Sequence, residues 1–208
     1  MKTLLFSESY LIALFTLVNL LIFILLKQKL LLFITTIIFL FLMFFFRVPN
    51  RILSDAIDKK DYIISPCDGT ILKIEEEGDK IKIITFLSIF NVHVQWYPID
   101  GYIKKVEHKD GEFNMANMLE KSEYNERFTT EIENDKGVVR MDQIAGLIAR
   151  RIVNKSVLNE YVKSGDYMGI IKFSSRVDIY LPKNKVEILE KENEKIFGKE
   201  TLIAKWKI

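Results

Sequence analysis

The side chains that can do chemistry are few and lie far apart in this sequence. The chain has two histidines, His93 and His108, and one cysteine, Cys67. A single cysteine excludes an intramolecular disulfide and a metal site built from several cysteines. Two histidines leave little choice for a histidine general base. The sequence also lacks a glycine-rich phosphate loop, a His-x-x-x-His pair and a Gly-x-Ser-x-Gly turn.

Cys67 and Asp68 lie together in one predicted turn, Ser65–Gly69. Taken alone, Asp68 is most simply a turn aspartate that bonds its own backbone. Taken alone, Cys67 is most simply a small buried hydrophobe. A cysteine-based acyltransferase or peptidase, with Cys67 as nucleophile and His93 as base, stays open, although the side chains of adjacent residues usually diverge.

His93 lies in a predicted strand, where its side chain faces away from those of Val92 and Val94. A lone strand histidine is more often structural than catalytic. The polar segment Ser174-Ser175-Arg176 separates two apolar segments and alone indicates a turn or bulge. Arg150-Arg151 follows an apolar run and alone indicates a solvated face.

The first 46 residues have the pattern of a membrane hairpin. Two mostly apolar runs of 17 residues, Tyr10–Leu26 and Leu30–Phe46, flank the polar turn Lys27–Lys29. As helices, each would extend about 25 Å, the short end of the range that crosses a hydrocarbon core of about 30 Å. Residues 1–49 are therefore predicted to form a membrane hairpin with a juxtamembrane anchor, spanning or partly inserted.

Charge predicts the orientation of that hairpin and excludes one class of partner. Five basic residues flank the hairpin ends, against two in the turn, which favours a cell-membrane location with the following domain on the cytoplasmic face. Of 30 basic and 28 acidic residues, residues 1–46 hold three and one, so residues 47–208 hold 27 of each. Such a neutral domain lacks the electrostatic footprint of nucleic-acid binding.

From about residue 61 onward, short alternating runs are separated by turn residues such as Asp-Gly. The predicted strands are Tyr62–Ile64, Thr70–Ile74, Lys82–Leu87, Val92–Trp96, Tyr102–Val106, Phe128–Ile132, Val138–Met141, Tyr167–Phe173, Arg176–Leu181, Val186–Leu189 and Leu202–Trp206. This pattern predicts a mainly β (α+β) domain at residues 50–208, an antiparallel sandwich or barrel, with Asn50–Lys60 as its linker. Met115–Ser122 is predicted as a short helix, and Gln143–Val153 is ambiguous between helix and strand.

Six short segments, in order along the chain, together carry a resemblance to a known family. They are Phe45-Phe46-Arg47-Val48-Pro49-Asn50-Arg51, Ser65-Pro66-Cys67-Asp68-Gly69, Phe90-Asn91-Val92-His93-Val94, Asn125-Glu126-Arg127, Gln143–Val153 and Gly169–Asp178. The chain resembles the phosphatidylserine decarboxylases over nearly its whole length, in particular the short membrane-hairpin branch that includes the archaetidylserine decarboxylases.

The resemblance implies a proenzyme that cuts itself. The Ser175 hydroxyl attacks the carbonyl of Ser174 and forms an ester, and elimination then cleaves the chain to leave dehydroalanine. Hydrolysis with loss of ammonia gives a pyruvoyl group at the new N-terminus. The products would be a β chain, 1–174, and an α chain, 175–208, and a homodimer is a further expectation.

The resemblance also implies the chemistry of the mature enzyme. The pyruvoyl group replaces pyridoxal phosphate, without a metal, and forms a Schiff base with the serine headgroup of a membrane phospholipid, which loses CO₂ to give phosphatidylethanolamine. His93 is expected to act as general base and acid, with Asp68 orienting it. Arg176, Arg150 and Arg151 are weaker candidates for binding the lipid phosphate or the serine carboxylate.

Three residues depart from the family pattern. Ser174 stands where glycine is usual, Asn91 where aspartate is common, and Trp96 where a basic residue is common. Ser174 matters most, because the N-to-O shift needs an unusual backbone that glycine reaches more easily. We expect cleavage to persist at a lower rate. The alternative is a membrane-anchored β-domain without catalytic activity.

Overall fold

A computed structural model of the chain describes residues 5–51, 59–147, 151–172 and 175–207. The chain divides into two compact units, Met1–Asn50 and Arg51–Ile208. Most of the predicted linker lies outside the described residues, as do two of the candidate site residues, Arg150 and Ser174.

The first unit contains two helices, α1 (Leu5–Leu25) and α2 (Lys29–Phe45). Helix α2 matches the second apolar run to within one residue at each end, whereas α1 begins five residues before the first run. Lys27 has a positive φ of 52° between the helices. Polar side chains in these helices bond to the preceding turn of backbone, as Thr16 Oγ1 does by donating to the carbonyl of Ala13 at 2.9 Å. Within the described residues, no helix combines the length and the apolar content that a membrane crossing requires.

The second unit is built mainly from strands. They are β1 (Tyr62–Ile64), β2 (Gly69–Glu77), β3 (Lys80–Leu87), β4 (Val94–Trp96), β5 (Gly101–Lys109), β6 (Arg127–Glu133), β7 (Val138–Ala145), β8 (Ile152–Asn154), β9 (Tyr161–Val162), β10 (Tyr167–Ile171), β11 (Ser175–Pro182), β12 (Val186–Ile188), β13 (Lys195–Ile196) and β14 (Leu202–Trp206). A single-turn helix, α3 (Leu119–Ser122), and 3₁₀ turns at Lys59–Asp61 and Lys183–Lys185 complete the described elements.

These strands form antiparallel sheets, which confirms the predicted fold class. In the described part of the chain, an eight-stranded sheet has the order β13-β2-β3-β11-β7-β6-β5-β9. Two three-stranded sheets have the orders β1-β14-β12 and β4-β10-β8. Paired strands are antiparallel throughout.

Strand β11 lies in the middle of the large sheet and is buried on both faces. Val177, Ile179 and Leu181 point into the hydrophobic core. Arg176 and Asp178 point to the opposite face, because side chains alternate along a strand, and they are buried as well. The strand that begins at Ser175 is therefore fixed by backbone pairing on two sides and by packing on both faces.

The predicted elements differ from the structure mainly at their ends. Strand β4 begins at Val94 instead of Val92, and the predicted helix Met115–Ser122 is helical only from Leu119. The ambiguous segment Gln143–Val153 contains the end of β7 and the start of β8, and none of its described residues is helical. Strands β9 and β13 have two residues each and are too short to give a period-two pattern.

Candidate active site

Ser175 is the first residue of β11 and lies between two neighbouring strands. Its backbone is opposite Leu87 of β3 and Ala145 of β7. Its Oγ atom is buried and has no hydrogen-bond partner among the described residues. Leaving a buried hydroxyl unsatisfied costs about 1–3 kcal/mol, so such a group needs an explanation. A reactive role for this hydroxyl provides one, and the group fits the expected precursor of a pyruvoyl group.

Asp68 ends a tight turn and is held by groups distant in sequence. Its carboxylate is buried and accepts a hydrogen bond from the backbone N–H of Gly198 at 2.9 Å. The guanidinium of Arg51 donates to both carboxylate oxygens, with Nη2 at 2.8 Å from Oδ2. Asp68 is therefore more than a turn aspartate that bonds nearby backbone.

His93 is fully buried just before β4. Its Nδ1 atom lies 3.0 Å from the carbonyl oxygen of Asn91. When Nδ1 donates to that carbonyl, the neutral ring carries its lone pair on Nε2, the form that a general base requires. The contact that fixes this tautomer is thus with Asn91 backbone, and the orienting role of Asp68 stays a prediction.

Asn91 also explains how the chain tolerates a departure from the family pattern. Its side-chain oxygen accepts hydrogen bonds from the backbone N–H of Ser88 at 2.9 Å and from the Ser88 hydroxyl at 2.8 Å. An amide oxygen supplies the same acceptor as a carboxylate oxygen in these contacts. The loop that carries His93 therefore keeps its turn without an aspartate.

The fold brings the segments that carry Asp68, His93 and Ser175 to one end of the large sheet. Strands β2 and β11 both pair with β3, so both begin at the same end of the sheet, one at Gly69 and the other at Ser175. The carbonyl of His93 accepts a hydrogen bond from Ile171 N at 3.4 Å, at the end of β10. Strand β10 leads within four residues to Ser175.

A row of amide side chains, of which Gln95 and Gln143 are fully buried, extends from the His93 carbonyl, and the sequence did not reveal it. The side chain of Gln95 donates to the His93 carbonyl at 2.6 Å, and Gln143 donates to Gln95 at 2.8 Å. Asn154 donates to Gln143 at 2.8 Å and to Thr130 at 3.0 Å. Gln95 follows His93 at the period-two spacing of a strand, the one sequence signal that could have linked these two residues.

The guanidinium of Arg176 is occupied by hydrogen bonds to other protein groups. It is fully buried and donates to both oxygens of Asp178, at 2.7 and 2.6 Å. It also donates to Ser122 Oγ at 2.8 Å and to Glu123. Because side chains alternate, Arg176 faces away from the side on which Ser175 lies. These contacts support a structural role and give no support to lipid binding by Arg176.

The charges of Arg176, Asp178, Glu123 and Lys82 influence one another. Burial raises the pKa of Asp178 above its usual value, although the hydrogen bond and charge of Arg176 oppose the increase. Burial also tends to raise the pKa of Glu123, but the hydrogen bond and charge of Arg176 outweigh it and hold the pKa at about 2. Lys82 Nζ lies 3.6 Å from Asp178 Oδ2 and adds a second positive charge beside that carboxylate.

The other candidates differ in their access to solvent. Arg151 is exposed, while Arg150 lies outside the described residues. Cys67 is fully buried, and burial, followed by the charges of Asp68 and Asp178, raises the pKa of its thiol well above the usual value. A buried, protonated thiol is a poor nucleophile, which argues against the cysteine enzyme. The described residues contain no group of His, Cys, Asp and Glu side chains that could hold a metal ion.

Comparison with known proteins gives one consistent result. The family model described as phosphatidylserine decarboxylase matches residues 38–204. The phosphatidylserine decarboxylase proenzyme of Bacteroides thetaiotaomicron is 42% identical over 171 residues, which cover 78% of this chain and 74% of that protein. The proenzyme of Carboxydothermus hydrogenoformans is 41% identical over 175 residues, 81% of each chain. That of the Wolbachia from Brugia malayi is 43% identical over 173 residues, 77% of this chain and 74% of its own.

Replacing Arg176 tests its structural role. In a Ser175→Ala chain, kept whole in detergent, Arg176→Met should lower the free energy of unfolding by about 3–5 kcal/mol, because it leaves Asp178 buried without its main partner. The exposed Arg151→Met should change it by less than about 0.5 kcal/mol. Urea denaturation measures both values, and equal small effects would show that Asp178 does not depend on Arg176.

Proposed function

The chain belongs to the phosphatidylserine decarboxylase family, and from that premise we propose how its own residues perform the reaction. It is a proenzyme of a carboxy-lyase that acts on a phospholipid. In the proposal, the precursor cuts itself between Ser174 and Ser175 into a β chain, 1–174, and an α chain, 175–208. The observation that carries this assignment is the buried, unsatisfied Oγ of Ser175 at the start of the central strand.

The first step of self-cleavage is the activation of the Ser175 hydroxyl. A serine hydroxyl is a weak nucleophile at neutral pH and needs a base to take its proton. His93 is the proposed base, since Asn91 can hold its ring in the tautomer with a lone pair on Nε2. The Ser175 oxygen bonds to the carbonyl carbon of Ser174, and the peptide nitrogen of Ser175 leaves as an amine once it gains a proton.

The second step breaks the chain. Removal of the α-proton of residue 175 expels the carboxylate of residue 174 from the ester, which leaves dehydroalanine at the start of the α chain. Water then replaces the nitrogen, which departs as ammonia, and the new N-terminus is a pyruvoyl group. The sheet retains residue 175 during these steps because β11 is paired with both β3 and β7.

In the mature enzyme, the pyruvoyl carbonyl supplies the electron sink for the carbanion that loss of CO₂ creates. His93 is proposed to return a proton to the α-carbon of the headgroup, and Asp68 is proposed to fix the geometry around it. The buried surroundings of residue 175 exclude water, which favours loss of a carboxylate because water would stabilise its charge. Arg151 stays the exposed candidate for the lipid phosphate.

We further propose that α1 and α2 attach the chain to the cytoplasmic face of the cell membrane. Large apolar side chains are exposed along both helices, including Phe15, Leu25, Leu30 and Phe33 at 63–71% exposure. Exposed apolar surface of this extent is typical of interaction sites for membranes or proteins. Anchoring would raise the effective concentration of a headgroup at the membrane surface. A homodimer stays a prediction.

The self-cleavage proposal can be tested by the intact mass of the full chain beside a Ser175→Ala variant. The wild-type chain should be cleaved between residues 174 and 175 into two products, and a pyruvoyl group should block the N-terminus of the α chain. The variant should stay whole because it lacks the nucleophile. If both chains remain uncut, the non-catalytic, membrane-anchored domain becomes the better assignment.

A Ser174→Gly variant tests the departure at the scissile bond. Reaching a strained backbone costs a residue other than glycine about 1–3 kcal/mol. Glycine should therefore speed cleavage about tenfold, measured as the half-time of the precursor in cell-free synthesis. An unchanged half-time would show that the backbone at residue 174 does not limit the reaction.

Membrane attachment can be tested by flotation with vesicles that contain phosphatidylserine. A double variant, Leu14→Asp with Phe33→Asp, places one charge on each helix and should lower the vesicle-bound fraction about tenfold or more, because a carboxylate in the bilayer costs about 2.5–3.5 kcal/mol. The matched control, Val157→Asp with Leu158→Asp, changes exposed apolar residues of the second unit. Equal flotation of the two variants would contradict attachment through α1 and α2.

A further inference from the structure

We propose that Arg51 is a positioning residue that holds the Asp68 carboxylate in place for both self-cleavage and decarboxylation. This inference rests on the proposed role of Asp68 and extends it to a residue without a proposed part in the chemistry. Arg51 is the first residue of the second compact unit and lies 17 positions before Asp68.

The first support is the geometry of the ion pair. Arg51 Nη1 donates to Asp68 Oδ1, and Nη2 donates to Oδ2 at 2.8 Å. The two side chains are only 10% and 5% exposed. Two parallel hydrogen bonds restrict rotation of the carboxylate in a way that one bond does not. A carboxylate held in this manner presents a fixed edge to the rest of the site.

The second support is the peptide group of Gly198, which both side chains share. Its N–H donates to Asp68 Oδ1 at 2.9 Å, and its carbonyl accepts from Arg51 Nη1 at 2.9 Å. A side chain at this position would place its Cβ 2.3 Å from the ring of Trp96, so the close approach requires glycine. Arg51, Asp68 and Gly198 therefore form one closed set of contacts, called here the Arg51 clamp.

Aromatic rings enclose the clamp. The guanidinium carbon of Arg51 lies 5.6 Å from the ring centroid of Trp96 and 5.9 Å from that of Phe197. Rings at this distance attract a cation and reduce its contact with water. Burial works against the charge of Arg51, but the hydrogen bond and charge of Asp68 outweigh it and raise the pKa of the guanidinium. Trp96, one of the departures from the family pattern, thus forms a wall of the clamp.

The clamp joins residues on both sides of the proposed cut. Arg51 and Asp68 would belong to the β chain, and Gly198 to the α chain. The neighbouring turn makes similar links, since Ser65 N donates to the carbonyl of Thr201 at 2.8 Å and Lys199 N donates to that of Ser65 at 2.9 Å. After cleavage, the position of Asp68 therefore still depends on contacts with both product chains.

Arginine is suited to this position for a specific reason. Its planar fork makes two hydrogen bonds to one carboxylate, whereas a lysine acts as a point charge with a flexible stem. Lysine at position 51 would keep the charge and lose the fork. Glutamine would lose both, leaving Asp68 with the Gly198 N–H as its remaining partner from the clamp.

The test compares Arg51→Gln and Arg51→Lys with Glu200→Gln in the full chain. Glu200 lies 3.4 Å from Arg51 Nε, but it is exposed, so its removal should matter little. Arg51→Gln should slow cleavage about 10- to 100-fold, by analogy with the residues that orient metal ligands through hydrogen bonds. Arg51→Lys should fall between, and Glu200→Gln should stay within about twofold. Cell-free synthesis with intact-mass time points measures these half-times.

Two further readouts separate positioning from simple loss of structure. In the cleaved fraction, Arg51→Gln should lower kcat for phosphatidylserine and leave KM unchanged, because Asp68 acts on the chemical step. In a Ser175→Ala background, the urea midpoint of Arg51→Lys should stay close to that of the parent, which shows that slower cleavage occurs in a folded chain.

Several outcomes would overturn the proposal. Unchanged cleavage in Arg51→Gln would show that Asp68 does not depend on Arg51. If both Arg51 variants lose cleavage and lose folding to the same extent, Arg51 has a structural role. If only KM changes, Arg51 has a role in binding the substrate. If the wild-type chain is not cleaved, both the proposed function and the proposed role of Arg51 fail. If Arg51→Gln is cleaved at the normal rate, only the proposed role of Arg51 fails.

Discussion

The pairing of β11 on both sides is the constraint on which the candidate site depends. Ser175 is the first residue of that strand, and its neighbours across the sheet are Leu87 and Ala145. A central strand uses its backbone hydrogen bonds in both directions, so the place of its first residue is fixed. The same pairing buries Ser175, and any base that activates its hydroxyl must therefore come from the protein. His93 approaches the same end of the sheet through its contact with Ile171.

The two faces of β11 stabilise it in different ways. One face contributes Val177, Ile179 and Leu181 to the apolar core. The other carries Arg176 and Asp178, whose burial is costly unless each charge keeps its partner. Two sequence neighbours therefore face different surroundings: the buried hydroxyl of Ser175, the proposed nucleophile, lies on one side of the sheet, and the charge cluster of Arg176 and Asp178 lies on the other.

The sequence predicted the parts of the fold that have a local signal. Alternating apolar residues located most strands, and the long apolar runs located α1 and α2. It did not predict contacts between distant residues, such as those that join Arg51 to Asp68 and Gly198, because no local pattern encodes a pair 17 or 147 positions apart. Nor does closeness in sequence show which side chains share a face, since strand alternation points Arg176 away from the side on which Ser175 lies.

The arrangement of the strands also explains how a cut chain can remain one enzyme. Residues 175–208 contribute β11 to β14, and three of these strands pair with strands that precede the proposed cut: β11 with β3 and β7, β13 with β2, and β14 with β1. The proposed cut lies before the first residue of β11, so the pairing of the rest of that strand, of β13 and of β14 does not depend on the broken peptide bond. The same topology would delay the proposed cut until folding is complete, because the segments that carry Asp68, His93 and Ser175 come to one end of the sheet only when β2, β4 and β11 are in place. Self-cleavage would thus occur only after the site has formed, and the pyruvoyl group would arise only in a site that is already enclosed.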